Sequence, residues 1–381
     1  MDRMKRFIDI SVPVQTCNFR CEYCYIAQNN LFLQALPYFH YDAKTIRRAL
    51  SKERLGGVCH LNLCGGGETL LPPQMTEIVK ELLSEGHYIA IVTNGTITKR
   101  FVEMCGFDNE YRERLLFKFS FHYLELKRLG LFDVFWDNVE RVRRAGCSIS
   151  IEVMPCDELI PYIDDIKQMC IQKVGALPHV TVARNERDKN LPILTGLSRD
   201  EYEKTWGTFE SDLFHFKLST FYKKRAEFCY AGSWSATLNL GTGLLRQCYC
   251  GKVIQNIFEN VDRPIKWQPI GSNCDEPHCH NSHVWLTLGD IPSLETPVYA
   301  LMRDRVDGNG NHWLQPRMRD FLSCKLGDEN QPFSEDEERR FSRKTRCGFS
   351  LRMKMLSIAR KVRKHFPKRL AVRISNHYKR Y

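Results

Sequence analysis

The chain has 381 residues, 43% hydrophobic and 27% charged, the composition of an ordinary globular protein with room for more than one domain. Its net charge of +11 is local: residues 339–381 hold 16 Lys or Arg and no Asp or Glu, leaving 40 basic against 45 acidic residues elsewhere. No window reaches the ~18 uninterrupted apolar residues of a membrane span, the N-terminus reads as no signal peptide, and 16 cysteines without a secretory signal point to a reducing, cytoplasmic setting and to metal ligation rather than disulfides.

Residues 1–184 alternate strand and helix patterns. Strands are predicted at 6–14, 58–63, 88–93, 115–121, 147–154 and 179–183, with helical spacing between them, as in Met75, Ile78, Val79, Leu82 and Leu83. Strands separated by such helices read as βαβ units on a parallel sheet. Six units are too few for an eight-fold barrel and fit a curved, partial one, an α/β fold whose active site lies beyond the C-terminal strand ends. Residues 185–228 read as a helical linker, 229–290 as a small Cys- and His-rich auxiliary unit, 291–338 as an irregular C-terminal region and 339–381 as a basic tail.

Directly after the first strand comes Thr16-Cys17-Asn18-Phe19-Arg20-Cys21-Glu22-Tyr23-Cys24-Tyr25. Three thiolates this close can hold a [4Fe–4S] cluster and leave one of its irons without a protein ligand, and an open coordination position is the mark of a catalytic rather than a structural metal site. A zinc knuckle or buried free thiols are the alternatives. The spacing resembles the C-x3-C-x-aromatic-C signature of the radical S-adenosylmethionine (radical SAM) superfamily, with Tyr23 at the aromatic position. The resemblance implies that Cys17, Cys21 and Cys24 bind the cluster, that the open iron chelates SAM, and that one electron cleaves SAM to a 5′-deoxyadenosyl radical. A reducing partner of flavodoxin or ferredoxin type would supply that electron.

Gly65-Gly66-Gly67-Glu68, after the second strand, resembles the family's Gly-Gly-Glu element, which implies that Gly66, Gly67 and Glu68 hold the amino group of SAM. Glycines admit close backbone approach, and a carboxylate complements an ammonium. Thr93-Asn94-Gly95, after the third strand, resembles a turn of the same family and makes Asn94 a ligand contact or simply a turn former. Ser120 and His122 share one face of the fourth strand by period two and point to a cavity, where the resemblance implies contact with the ribose or carboxylate of SAM. Glu152, an acid inside an apolar strand, is costly unless it faces a polar cavity. It is read as a ribose or substrate contact. Arg184, at the sixth strand end, could meet a carboxylate or phosphate.

Cys229-x13-Gly243-x4-Cys248 resembles the opening of the auxiliary-cluster domain called SPASM, or its shorter form, twitch. This implies a second [4Fe–4S] cluster on Cys229, Cys248, Cys274 and Cys279, with Cys250 as a substitute for Cys248, and His278, His280 or His283 as a substitute for a cysteine. A structural zinc site is the alternative. Cys59, Cys64, Cys105, Cys147, Cys156 and Cys170 read as small buried hydrophobes. Cys250 and Cys324 are candidate catalytic thiols, able to give a hydrogen atom to a substrate radical. In the tail, Leu351, Met355, Ile358, Val362 and Phe366 form one stripe on a basic helix. Such a helix suits an anionic membrane surface, nucleic acid, or docking on the body.

The expectation is a radical SAM enzyme that abstracts hydrogen from an unactivated C–H bond. The outcome is oxidation or epimerisation of a small-molecule, sugar or glycan substrate, with the tail holding the protein peripherally at the inner membrane face. Maturation of a peptide or protein side chain, modification of tRNA, and a non-catalytic zinc-binding scaffold remain alternatives.

Overall fold

The computed structural model describes residues 2–342. Its centre is a nine-stranded sheet: β1 (Arg6–Val12), β2 (Cys59–Gly65), β3 (Tyr88–Thr93), β4 (Leu115–Ser120), β5 (Ser148–Val153), β6 (His179–Val180), β7 (Ser235–Asn239), β8 (Leu244–Arg246) and β9 (Val253–Asn256), in the spatial order β6-β5-β4-β3-β2-β1-β7-β8-β9. The first seven strands run parallel, and β8 and β9 are antiparallel additions at one edge. This is the open α/β sheet expected of a partial barrel. The Cys- and His-rich region, read as a separate unit, instead contributes β7 to the same sheet, with Phe7 opposite Ser235 and Ser11 opposite Asn239.

The two faces of the sheet follow from period-two alternation. One face is apolar throughout: Ile8 and Ile10, Leu61 and Leu63, Ile89 and Ile91, Phe117 and Phe119, and Ile149 and Ile151 are fully buried. Helices cover it. In Met75–Ser84 the buried residues are Met75, Ile78, Val79, Leu82 and Leu83, one stripe at helical spacing. At about 1.5–3 kcal/mol per buried side chain, that stripe contributes on the order of 10 kcal/mol before chain entropy is subtracted.

The opposite face changes character along the strands. Near the strand starts it carries Phe7, Tyr88 and Leu116, which pack in one cluster with Trp285, Tyr299, Met302, Met318 and Phe321. Residues 284–326, expected to be largely irregular, thus plug the N-terminal end of this concave face, using a helix, Pro316–Leu322, and the turn Tyr299–Met302. Tyr88 and Phe321 stack at 3.7 Å. Towards the strand ends the same face turns polar, with Asp9, Asn62, Lys118, Ser120 and Glu152, and there it is open to a cavity. Among the described residues no helix is long and apolar enough to cross a membrane. The apolar stripe of the tail lies outside the described residues.

Candidate functional site

The cysteine loop leaves the end of β1 and is fastened at three places. The Gly-Gly-Glu turn binds its entrance through Gly67 N–H to Val14 O (2.7 Å) and Glu68 N–H to Thr16 O (3.0 Å). A Cβ on Gly67 would fall 2.0 Å from the Thr16 carbonyl oxygen, so only glycine permits this approach. Arg20 N–H donates to Glu125 Oε2 (2.7 Å), which Arg128 also clamps. Tyr23 Oη meets His122 Nδ1 at 2.6 Å. Burial raises all three thiol pKa values, Cys17 to about 11, so metal binding must displace their protons.

Glu68 is buried, and its carboxylate is largely occupied. Oε1 accepts from Thr93 Oγ1 (2.7 Å) and Leu70 N–H (3.0 Å), and Oε2 from Asn94 N–H (2.7 Å). It therefore ties the turn after β2 to the turn after β3. Asn94 Nδ2 donates to Asn18 Oδ1 (2.8 Å) and reaches 3.9 Å from Cys17 Sγ, so the third turn is linked back to the cysteine loop.

Cys17, Cys21, Cys24, Tyr23, Gly66, Gly67, Glu68, Asn94, Ser120, His122 and Glu152 all line one cavity of about 290 Å³ at the C-terminal rim of the sheet. His122 sits just past β4, at the head of the helix Tyr123–Leu129, where burial lowers its pKa to about 4 and leaves the ring neutral. Glu152 pairs with Arg303 at 2.5 Å. Burial alone would raise its pKa, but Arg303, Lys118 and Lys217 hold it down to about 2. Asp9 is pushed up to about 6 by burial, opposed by Asn62 and Lys118. Its Oδ1 accepts from Asn62 Nδ2 (2.6 Å) and its Oδ2 from Tyr249 Oη, which in turn accepts from Asn281 Nδ2 (2.9 Å).

Asp9, Asn62, Lys118, Lys217, Arg303 and Tyr249 were not singled out from the sequence. Three of them carried a readable signal, a polar residue at alternate positions of an apolar strand, the same signal that marks Ser120 and Glu152. Lys217, Arg303 and Tyr249 lie on a helix, a turn and a loop, where no local pattern announces an inward-facing side chain.

A second, smaller cavity of about 50 Å³ is lined by Cys229, Cys248, Cys250, Cys274 and Cys279, together with His278 and His280. All five thiols of the auxiliary group thus face one space, and Cys248 and Cys250 approach to 3.3 Å between sulfurs. Tyr249 and Trp285 line both cavities and form the wall between them, their rings 5.8 Å apart. No three His, Cys, Asp or Glu side chains among the described residues converge closely enough to chelate a single ion. A four-iron cluster spreads its thiolates over several metal atoms and needs no such convergence.

Three expectations require correction. Cys324 is not brought to either cavity; it ends the helix Pro316–Leu322, its sulfur on the Asp320 carbonyl (3.5 Å) at the plugged end of the sheet. Cys250 faces the smaller cavity, not the one that holds Cys17, Cys21 and Cys24, because the turn after β8 carries it there. His283, a substitute ligand for the auxiliary group, points into the larger cavity instead. Conversely Cys64, read as a structural thiol, lines the larger cavity.

The C-terminal rim of this parallel α/β sheet thus gathers three thiols, a Gly-Gly-Glu turn and a polar cavity. Residues 11–159 match the family model described as Radical SAM superfamily, and this part of the chain is a radical SAM domain. The family implies a [4Fe–4S] cluster and SAM. No curated protein matches the sequence at a significant level. Among solved structures, the chain is similar to Streptococcus suis SuiB bound to S-adenosylmethionine (15% identity over 68% of this chain and 65% of that one, TM-score 0.47). It is also similar to anSMEcpe with bound AdoMet (13%, 67% and 79%, 0.42) and to BtrN in complex with AdoMet and 2-DOIA (16%, 69% and 82%, 0.38). The match spans just under two thirds of the length of SuiB.

Proposed function

We propose that this chain is a two-cluster radical SAM enzyme that oxidises a small-molecule, sugar or glycan substrate at an unactivated C–H bond. The observation that carries this reading is the pair of thiol-lined cavities sharing one wall, Tyr249 and Trp285. The donor sets suit both clusters: Cys17, Cys21 and Cys24 would hold the SAM-binding cluster that the family implies, and Cys229, Cys248, Cys274 and Cys279 the auxiliary one suggested by the SPASM resemblance, with Cys250 as the fifth thiol within reach. When bound, the first cluster and SAM supply the 5′-deoxyadenosyl radical, and the second cluster supplies an electron acceptor. Gly66 and Gly67 bring the backbone against the cysteine loop, Glu68 fixes the turn that carries them, and Ser120 and His122 face the space beside it. Asp9, whose carboxylate burial pushes up to about 6, is suited to take the hydroxyl proton as an alcohol becomes a carbonyl.

Anaerobic reconstitution followed by iron counting tests the reading. Wild type should hold about eight irons and the Cys17/Cys21/Cys24 triple Ala variant about four, with deoxyadenosine formed from SAM under dithionite by wild type alone. About four irons or fewer in wild type, or zinc in their place, overturns it.

Cys64 favours epimerisation as a second reading, because it is a thiol in the larger cavity outside the cysteine loop. Deuterium carried from solvent into an unoxidised product, and lost in Cys64→Ser, would select epimerisation.

A further inference from the structure

The wall of the larger cavity beside β6 gathers Lys217, Arg184 and His283, whose polar atoms are not all satisfied by the protein. Lys217, on the helix Asp212–Thr220, is 5% exposed, and among the described residues its Nζ donates to Thr181 Oγ1 (2.8 Å). Arg184 gives Nε and Nη2 to one oxygen of Glu186 (3.0 and 2.8 Å), while its Nη1 is buried without a partner. His283 is 6% exposed, and its Nδ1 has no partner either. Burial, then Lys217, Arg303, Lys118 and Arg184, drive its pKa well below the usual range, so the ring is neutral and free to donate. Lys217, Arg184 and His283 all line this cavity.

The nearby carboxylates are committed elsewhere: Glu152 to Arg303 and Glu186 to Arg184. Burial, with Arg184 and Arg303 against Glu152 and Glu186, lowers the pKa of Lys217 to about 7, and a ligand of opposite charge would hold the amine protonated. Arg184 stands at the β6 edge of the sheet, its carbonyl held by Gln28 Nε2 (3.1 Å) beside the cysteine loop. The cysteine loop and the Gly-Gly-Glu turn leave β1 and β2, whereas Arg184 follows β6 and, with Lys217, acts on His278 in the wall of the auxiliary cavity.

We infer that Lys217, Arg184 and His283 bind an anionic group of the substrate, a carboxylate or a phosphate, and so hold the substrate between the two cavities. This rests on the larger cavity being the substrate chamber of the proposed enzyme. Lys217 supplies the charge, Arg184 Nη1 a directed donor, and His283 a neutral donor that adds no further repulsion.

The test is calorimetric titration of anaerobically reconstituted, SAM-saturated protein with inorganic phosphate in one arm and malonate in the other. At least one should bind one-to-one, and the arm that binds identifies the anion class. Lys217→Met should weaken that binding by about tenfold or more, whereas Lys204→Met, on the exposed side of a neighbouring helix, should leave it unchanged. Affinity for SAM should not move in either variant. Without added anion, Lys217→Met should melt at or above the wild-type temperature, since it removes a buried amine whose charged form burial penalises. Binding of neither anion, or equal binding by wild type and Lys217→Met, overturns the inference. So does a tenfold loss of SAM affinity with anion binding intact, which would assign Lys217 to the carboxylate of SAM. Running the same titration on metal-free protein separates the two claims. Anion binding that survives in a chain unable to load iron or cleave SAM refutes the enzyme, not the anion site.

Discussion

Replacing Glu68 by glutamine separates a strut from a ligand contact. The carboxylate accepts three hydrogen bonds, from Thr93 Oγ1, Leu70 N–H and Asn94 N–H, all buried. An amide offers one oxygen. If it stays on the Thr93 and Leu70 side, the Asn94 N–H faces an NH2 group and loses its acceptor, and the reverse orientation strands two donors. An unsatisfied buried donor costs about 1–3 kcal/mol, and the two remaining bonds lose their charge assistance, so Glu68→Gln should destabilise by roughly 2–4 kcal/mol. For a chain of this size each kcal/mol moves the melting temperature by about 1–2 °C, giving a fall of roughly 2–8 °C. Scanning calorimetry of reconstituted protein without SAM measures this, and titration with SAM follows on the same sample. Because the turn that carries Gly66 and Gly67 depends on these bonds, SAM affinity should fall as well. A variant that melts like wild type and loses only SAM affinity would refute the strut and make the carboxylate a direct contact.

Gly67→Ala should lose about four irons per chain with every cysteine in place, because its methyl group collides with the Thr16 carbonyl beside Cys17; iron analysis checks it, and full loading would show that the turn can yield. Asp9 has a raised folded pKa, so it binds more protons folded than unfolded between about pH 4 and 6. Its stabilising contribution is complete below about pH 4 and is lost as pH rises through about 6, a change of about 3 kcal/mol at most. The melting temperature of Asp9→Asn relative to wild type should therefore climb over that window and level off above it, and a flat difference would contradict the shift. Arg303→Met removes the nearest partner of Glu152, leaving Lys118 and Lys217, and should cost about 1–3 kcal/mol in urea unfolding, most of it recovered in the Glu152→Gln/Arg303→Met double variant.

What could be read from the sequence depended on how local its cause is. The cysteine trio and the Gly-Gly-Glu turn are contiguous, so spacing alone placed them at strand ends. The third strand matches its predicted span at both ends, Tyr88–Thr93, while β1 and β6 stop short because their last residues already serve the loops. Strand β7 left no sign in the sequence: Ser235–Asn239 is SATLN, two apolar residues in five, and is a strand because β1 offers it an edge. The same holds for Arg303 and Lys217, which reach the cavity only through packing of segments far apart in the chain. A thiol shows in sequence as a reactive group without an address, which is why Cys324 and Cys250 were drawn to a cavity they do not line while Cys64 was passed over.

Strand β1 lies between β2 and β7, and its second partner follows more than two hundred residues later. At a synthesis rate of roughly 5–20 residues per second, the cysteine loop spends on the order of 10–50 s on a strand with one edge unpaired. A nascent chain held there exposes both the edge and the thiols to whatever reaches them first. The proposed N-terminal cluster site is thus the first to be made and among the last to be enclosed. Iron delivered during that interval meets a half-built sheet, and the second half of the protein closes the door on the first.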